Sequence, residues 1–392
     1  TIIKIIFHSF SFSGLCMYKN TARVLSVAGL MAASFSVFAT TYPLTVTDIS
    51  GQKVTIEKAP QRVILQDGRD LLALAVLDKA NPFEHVVAWN NLLKKTDSGT
   101  WDMLKSKWPE SANILDMGFS DKGQVDLETV IARKPDLMVA QLRAKDSLAQ
   151  AGVLDKLAAL HIPVVFLDYE LDPAKNTAPS IELLGKVMNQ EDNARAYTTF
   201  YNAHFQNIQK AVSAIKTKPN VFIEPIAGRD DSCCFTHGNA GWGRLIQAVD
   251  ANNIGSQLLP GASGTVSLEQ VISMKPDVYI MTGSARPKGG SVTHILPFGY
   301  GADQASLDKA AKVLTSRTGV AQIPAVINGN VYAVYHQFYN HPYNIVGMEY
   351  LAKFIYPQEF KTLDPAKTYR DIVRNYTNLP DQDFILGWSA KK

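Results

Sequence analysis

Between Asp192 and Lys216 the apolar residues Tyr197, Tyr201, Phe205, Ile208, Val212 and Ile215 recur three or four positions apart, tracing one face of an α-helix. No Gly or Pro interrupts the stretch until Pro219, which cannot continue a helix. At about 1.5 Å per residue such a helix spans about 37 Å, longer than an ordinary domain helix. Two meanings are open: a core helix of a single α/β domain, or a rigid strut between two lobes.

The pattern on either side favours the strut. Leu44 to Lys58 predicts a hairpin with Ser50-Gly51 at its turn, and Arg62 to Gln66 a buried strand. Asp67-Gly68-Arg69-Asp70 then turns into an apolar helix, Leu71 to Leu77. Strands follow at Val86–Trp89, Leu137–Ala140 and Ile162–Leu167, with helices at Leu127–Ala132 and Asp146–Leu160. Strands alternating with helices at this spacing predict parallel α/β layers. Beyond Pro219 the pattern restarts: a strand at Val221–Ile223, a polar loop from Glu224 to Gly241, and a helix at Trp242–Val249. A helix at Leu268–Met274 leads to a strand at Val278–Met281, and a last strand runs from Val331 to Val334. The frame Leu127-Glu128-x-Val-Ile-x-x-Lys134-Pro135-Asp136 recurs as Leu268-Glu269-x-Val-Ile-x-x-Lys275-Pro276-Asp277. Arg69 to Asp78 is echoed by Arg244 to Asp250. Two motifs repeated in the same order predict a duplicated lobe.

Composition changes the picture at the N-terminus. Residues 1–39 read as an upstream extension followed by a secretory signal peptide starting at Met17, with Lys19 and Arg23 before the apolar run Val24 to Phe38. Val37-Phe38-Ala39 supplies small residues for cleavage near Ala39. Those residues carry Lys4, Lys19 and Arg23 and no acid, so without them 36 basic residues face 36 acidic ones. A near-neutral chain with no basic block and no later long apolar run gives no sign of a nucleic-acid partner or a membrane span. Export to the periplasm is expected. The adjacent Cys233 and Cys234 leave two states open, a vicinal disulfide or a pair of free thiols.

The repeats, the segment His237-Gly-Asn-Ala-Gly-Trp-Gly-Arg244 with Asn253-Ile254-Gly255, and the stretches Asn330 to Tyr335 and Gly347 to Pro357 resemble a known family. They are similar to the helical-backbone (class III) periplasmic substrate-binding proteins of ABC importers for ferric siderophores, haem and cobalamin. The resemblance covers essentially the whole chain after the leader. It implies two Rossmann-like α/β lobes joined by a single long α-helix, with only modest closure: an N-terminal lobe over 40–176, a connecting helical segment over 177–217 and a C-terminal lobe over 218–392. It also implies a monomeric carrier and no enzyme, with no intrinsic cofactor. Its partners would be a permease dimer with its ATPase, and its ligand an iron(III) chelate; haem, cobalamin or a metal ion or oxyanion such as molybdate stay open.

In parallel sheets ligands bind beyond the carboxyl ends of strands. The loops there hold Arg69, Arg143, Arg229 and Arg286, whose guanidinium forks suit carboxylate or catecholate oxygens. Tyr335, His336 and Tyr339 add amphipathic rings, and His237 opens a Gly-rich turn before a helix, where it either meets ligand or caps that helix. Phe338 and Tyr343 either pack under their loop or join the site. His336 and His341 are the sole closely spaced histidines after the leader, short of the three or four ligands a metal ion needs, so direct metal capture and haem ligation by Tyr or His stay open only as minor alternatives. Glu128 and Glu269 occupy equivalent places in the repeats, which the resemblance assigns to permease docking. An exported hydrolase using His237 with Asp230 or Asp231 is the competing class, although no nucleophile motif is present.

Overall fold

The computed structural model describes residues 40–118, 126–230, 232–286 and 294–391. The expected signal peptide over 1–39, with its cleavage point at Ala39, and Asp231 lie outside the described residues. Residues Thr40–Lys392 constitute one compact unit, within which two five-stranded sheets stand. The chain opens with the hairpin β1 (Leu44–Thr47) and β2 (Lys53–Ile56), turned by Gly51 at φ 84°. The first sheet comprises β3 (Val63–Leu65), β4 (Val86–Trp89), β5 (Leu115–Asp116), β6 (Leu137–Gln141) and β7 (Val164–Leu167), in the order β5-β4-β3-β6-β7 and all parallel.

The second half contributes β8 (Asn220–Glu224), β9 (Phe235–His237), β10 (Asn252–Asn253), β11 (Ser263–Thr265) and β12 (Val278–Gly283). It continues with β13 (Gly299–Tyr300), β14 (Val331–Tyr335), β15 (Phe384–Ile385) and β16 (Gly387–Ser389). The order of its main sheet is β10-β8-β12-β14-β16, parallel except for the antiparallel edge β16. Runs such as Leu137–Gln141 and Val278–Gly283 are buried at every position, as strands covered on both faces must be.

The repeated Lys-Pro-Asp does the same work in both halves. Lys134 and Lys275 adopt left-handed φ of 49° and 50°, a sharp exit from the preceding helix. Asp136 then accepts the Arg62 N–H at 2.8 Å, and Asp277 the Asn220 N–H at 2.8 Å. Each aspartate thereby clamps the start of the neighbouring strand, β3 or β8, and sets its register.

The connecting helix spans Glu191–Val212, about 33 Å. Its predicted face is the buried one, through Tyr197, Tyr201, Ile208 and Val212, with Phe205 packed at its margin. It ends sooner than the periodicity suggests, because Ser213 caps it and Ile215 packs from a turn instead. A second helix, Pro173–Val187, precedes it and packs alongside, with Gly185 against Ala194. The helix is pinned to the later helix Asn344–Ile355 by Tyr201 Oη to Asn344 Oδ1 (2.7 Å) and His204 Nδ1 to Glu349 Oε1 (2.6 Å). One apolar core runs from Val46 through this helix to Leu386, while a smaller core under Ile64, Met138 and Phe166 covers the other face of the first sheet.

Other differences from the sequence expectations are local. Asp146–Leu160 is two helices, Lys145–Gln150 and Val153–Ala159, broken at Gly152 with φ 70°. The polar stretch Glu224–Gly241 contains β9, which pairs with β11. The aromatic loop after β14 is a 3₁₀ turn, His336–Asn340. Among the described residues no helix is long and apolar enough to cross a membrane.

Candidate functional site

The loops after β3, β6 and β7 build one wall. Asp67 leaves β3 and caps the short turn Gly68–Asp70, accepting the Arg69 N–H at 3.0 Å. Gly68 is required there, since a Cβ would fall 2.6 Å from the Asn90 carbonyl oxygen. The same carboxylate takes both Arg69 Nε (3.0 Å) and Arg69 Nη2 (2.7 Å), and receives Arg143 Nη2 at 2.9 Å. Burial opposes its ionisation, but the two guanidinium groups hold it well below the usual carboxylate range. Arg143 Nε lies 3.1 Å from Glu170 Oε2. Glu170 is set by Asp168, whose carboxylate accepts the N–H groups of Glu170, Leu171 and Asp172.

The opposite wall comes from the ends of β8, β9, β12 and β14. The Tyr339 ring lies at the centre, 5.1 Å from Arg69 Cζ, 4.6 Å from the His336 ring and 5.5 Å from the His237 ring. His336 Nδ1 and Thr282 Oγ1 share a 2.7 Å hydrogen bond. Burial, followed by His237 and the surrounding arginines, pushes His336 down, so its ring is neutral. His237 Nδ1 accepts the Trp242 N–H at 3.2 Å, and burial together with Arg229 brings His237 down to about 3. His237 thus caps the helix Trp242–Ala248 while its ring faces Tyr339. Asn253 explains the rest of that motif: its Nδ2 donates to the His237 and Gly238 carbonyls at 2.9 and 3.0 Å.

Arg229 is exposed, stacks 4.3 Å over the Phe235 ring and meets Asp230 at 3.2 Å. Arg286 is half-buried; its Nε has no hydrogen-bond partner among the described residues, and burial lowers its basicity. Arg69, Arg143, Arg229 and Arg286 all act electrostatically on the Tyr339–His336 pair or on its immediate neighbour. The structure therefore brings together seven of the eight residues expected to bind ligand.

Tyr335 is the exception. It is buried, and its hydroxyl donates to Asp97 Oδ2 from the other lobe, with Thr100 Oγ1 3.3 Å away. Burial pushes Asp97 up to about 6, against the pull of the Thr100 and Tyr335 hydrogen bonds. Phe338 and Tyr343 are fully buried under the turn. His341 does not converge with His336 on a common point: its Nδ1 accepts the Tyr343 N–H at 2.9 Å. Among the described residues no group of three or more His, Cys, Asp or Glu is placed to hold a metal. The acids Asp67, Glu170 and Asp97 escaped the sequence reading; Asp67, two positions before Arg69 and directly after a strand, was the one with a visible signal.

Cys233 and Cys234 are joined in a disulfide, Cys233 half-buried and Cys234 buried. Cys233 forms one side of a hollow of about 740 Å³ shared with Glu269 and Arg317. Glu128 and Glu269 are both exposed in the first turns of short capped helices, Leu127–Ile131 and Leu268–Ser273. Asp126 caps the first and Ser267 the second, the latter in a reciprocal capping box with Gln270.

Comparison with known proteins fits this architecture. An uncharacterized ABC transporter substrate-binding lipoprotein of Bacillus subtilis (strain 168), YvrC, is 22% identical over 326 residues, covering 82% of this chain and 88% of that protein. The solved TroA-like periplasmic binding protein FepB from Veillonella parvula is similar with a TM-score of 0.80 at 25% identity, covering 88% of this chain and 99% of its own. The molybdate-bound MolA of Haemophilus influenzae shares the fold with a TM-score of 0.65 at 18% identity, over 87% of this chain and 100% of its own. Residues 70–337, which include Arg143, Glu170, His237, His336 and the connecting helix, match the periplasmic binding protein family, and the chain belongs to that family.

Proposed function

We propose that this protein is the substrate-binding component of an ABC importer, capturing an iron(III)–siderophore complex between its lobes and delivering it to an inner-membrane permease. The observation that carries this reading is the cluster centred on Tyr339, where Arg69 and Arg143 from one lobe meet His336, His237 and Arg286 from the other. Guanidinium forks and a phenol at the carboxyl ends of strands offer donors and a flat surface to a chelate rimmed with oxygens. Substrate-binding relatives support the carrier role, and delivery would engage a permease dimer with its ATPase through Glu128 and Glu269. Residues 1–39 would direct the chain to the periplasm.

The test is a fluorescence titration against ferric siderophores, haem, cobalamin and molybdate, read from Trp242 beside His237. Saturable quenching by a ferric siderophore is expected. A response to haem, cobalamin or molybdate alone would reassign the ligand, and turnover of an ester substrate would restore the hydrolase reading.

A further inference from the structure

Among the described residues, each arginine of the cleft loops except Arg286 sits in an ion pair with an acid of the chain itself. Asp67 lies between Arg69 and Arg143, at 2.7 and 2.9 Å. Glu170 is 3.1 Å from Arg143, and Asp230 is 3.2 Å from Arg229. Three carboxylates thus face four guanidinium groups among the described residues. Asp97 also acts electrostatically on Arg286. The Asp67–Arg69 pair has side chains 1% and 3% exposed, so it is a fixture of the folded chain and not a surface contact to be exchanged for ligand. Both histidines facing Tyr339 add no charge.

We infer that the cleft selects a chelate that is neutral or singly anionic overall, recognising its oxygens through hydrogen-bond donors instead of through a surplus of positive charge. The inference rests on the proposed siderophore role and narrows it to hydroxamate-like chelates. A neutral ferric trihydroxamate fits the balanced walls. A trianionic ferric tris-catecholate would approach Asp67 and Glu170 with Arg286 alone, among the described cleft arginines, left to offset its charge, and like charges held close in a partly desolvated cleft weaken binding.

The experiment titrates a neutral ferric trihydroxamate and a trianionic ferric tris-catecholate at low and high salt, with neutral cobalamin and the anions haem and molybdate alongside. The trihydroxamate is expected to bind at least about tenfold more tightly, with little salt dependence. Glu170→Gln should raise the tris-catecholate-to-trihydroxamate affinity ratio by about threefold or more, because it removes one compensating charge. If the tris-catecholate binds more tightly and its affinity falls steeply with salt, the charge inference fails while the siderophore role stands. If no ferric chelate binds, the siderophore role fails, and neutral cobalamin or singly anionic ferric haem against the dianion molybdate decides the charge inference on the same criterion. Absence of binding by every probe overturns both.

Discussion

Tyr335, the last residue of β14, donates its hydroxyl to the fully buried carboxylate of Asp97, 238 positions earlier in the chain. The bond crosses from the second lobe to the first. Around it Ser98 N–H donates to the Ala285 carbonyl at 3.1 Å, and Gln337 Nε2 to the Thr96 carbonyl at 3.2 Å. The lobes are therefore stitched at this seam as well as through the connecting helix.

This contact has a pH signature. Folded Asp97 keeps its proton up to about 6, whereas an unfolded aspartate releases it near 3.8. Its contribution to stability is therefore full below the lower value and is lost as pH rises through the higher one. Tyr335→Phe removes a donor to the ionised form, so it should cost about 2 kcal/mol near pH 8 and much less near pH 5. Denaturant titrations at the two pH values measure this; an equal loss at both would show that the hydroxyl does not stabilise the carboxylate.

His341 works in the opposite sense. Burial first, then Arg69, brings it down to about 3 from an ordinary 6.5. The folded chain holds the ring neutral while the unfolded chain takes a proton, so stability is lost as pH falls from about 6.5 towards 3. Between about pH 7 and pH 5 this single group should remove about 2 kcal/mol. His341→Asn, which retains an acceptor for the Tyr343 N–H, should show an acid-induced loss smaller by that amount in denaturation at the two pH values.

Glu349 is buried on the helix Asn344–Ile355 with one oxygen bonded to His204 of the connecting helix and the other without a partner among the described residues. His204→Ala leaves that carboxylate stranded and should destabilise the chain by roughly 3 kcal/mol. Adding Glu349→Leu should recover much of the loss, because no buried charge then remains. Additive losses in thermal or chemical unfolding would exclude a coupled pair.

The docking proposal predicts a separation of functions. The double variant Glu128→Ala, Glu269→Ala should bind ligand with wild-type affinity yet lose importer-dependent uptake, since both side chains are exposed and distant in sequence from the cleft loops. Unimpaired uptake in cells carrying the importer would falsify the assignment.

Much of the scaffold was legible because it obeys simple periods. The buried face of Glu191–Val212 follows helical spacing, and the two Lys-Pro-Asp frames end helices and clamp strands alike. The overshoot to Lys216 arose because Ile215 packs on the same core from a turn, which spacing alone cannot distinguish from helix. β9 (Phe-Thr-His) and β11 (Ser-Gly-Thr) escaped notice because three residues are too few to show a hydrophobic alternation. The arginines were visible as residues following strands. Their acid partners were not, because pairing across loops depends on topology, as with Arg143 meeting Asp67 from a different strand end. The Tyr335–Asp97 bond escaped for the same reason: nothing near Tyr335 in sequence announces Asp97.

Glu170 carries a consequence for kinetics. Its carbonyl accepts the Gly241 N–H at 2.8 Å and its carboxylate accepts Asn340 Nδ2 at 3.0 Å, both from the second lobe, while Arg143 holds it from the first. The floor of the site is thus tied across the two lobes by bonds that any parting of the walls would have to break. A ligand that enters without breaking these bonds is expected to bind in a single encounter step whose observed rate climbs linearly with its concentration, and the lifetime of the complex, not its formation, would then separate one cargo from another.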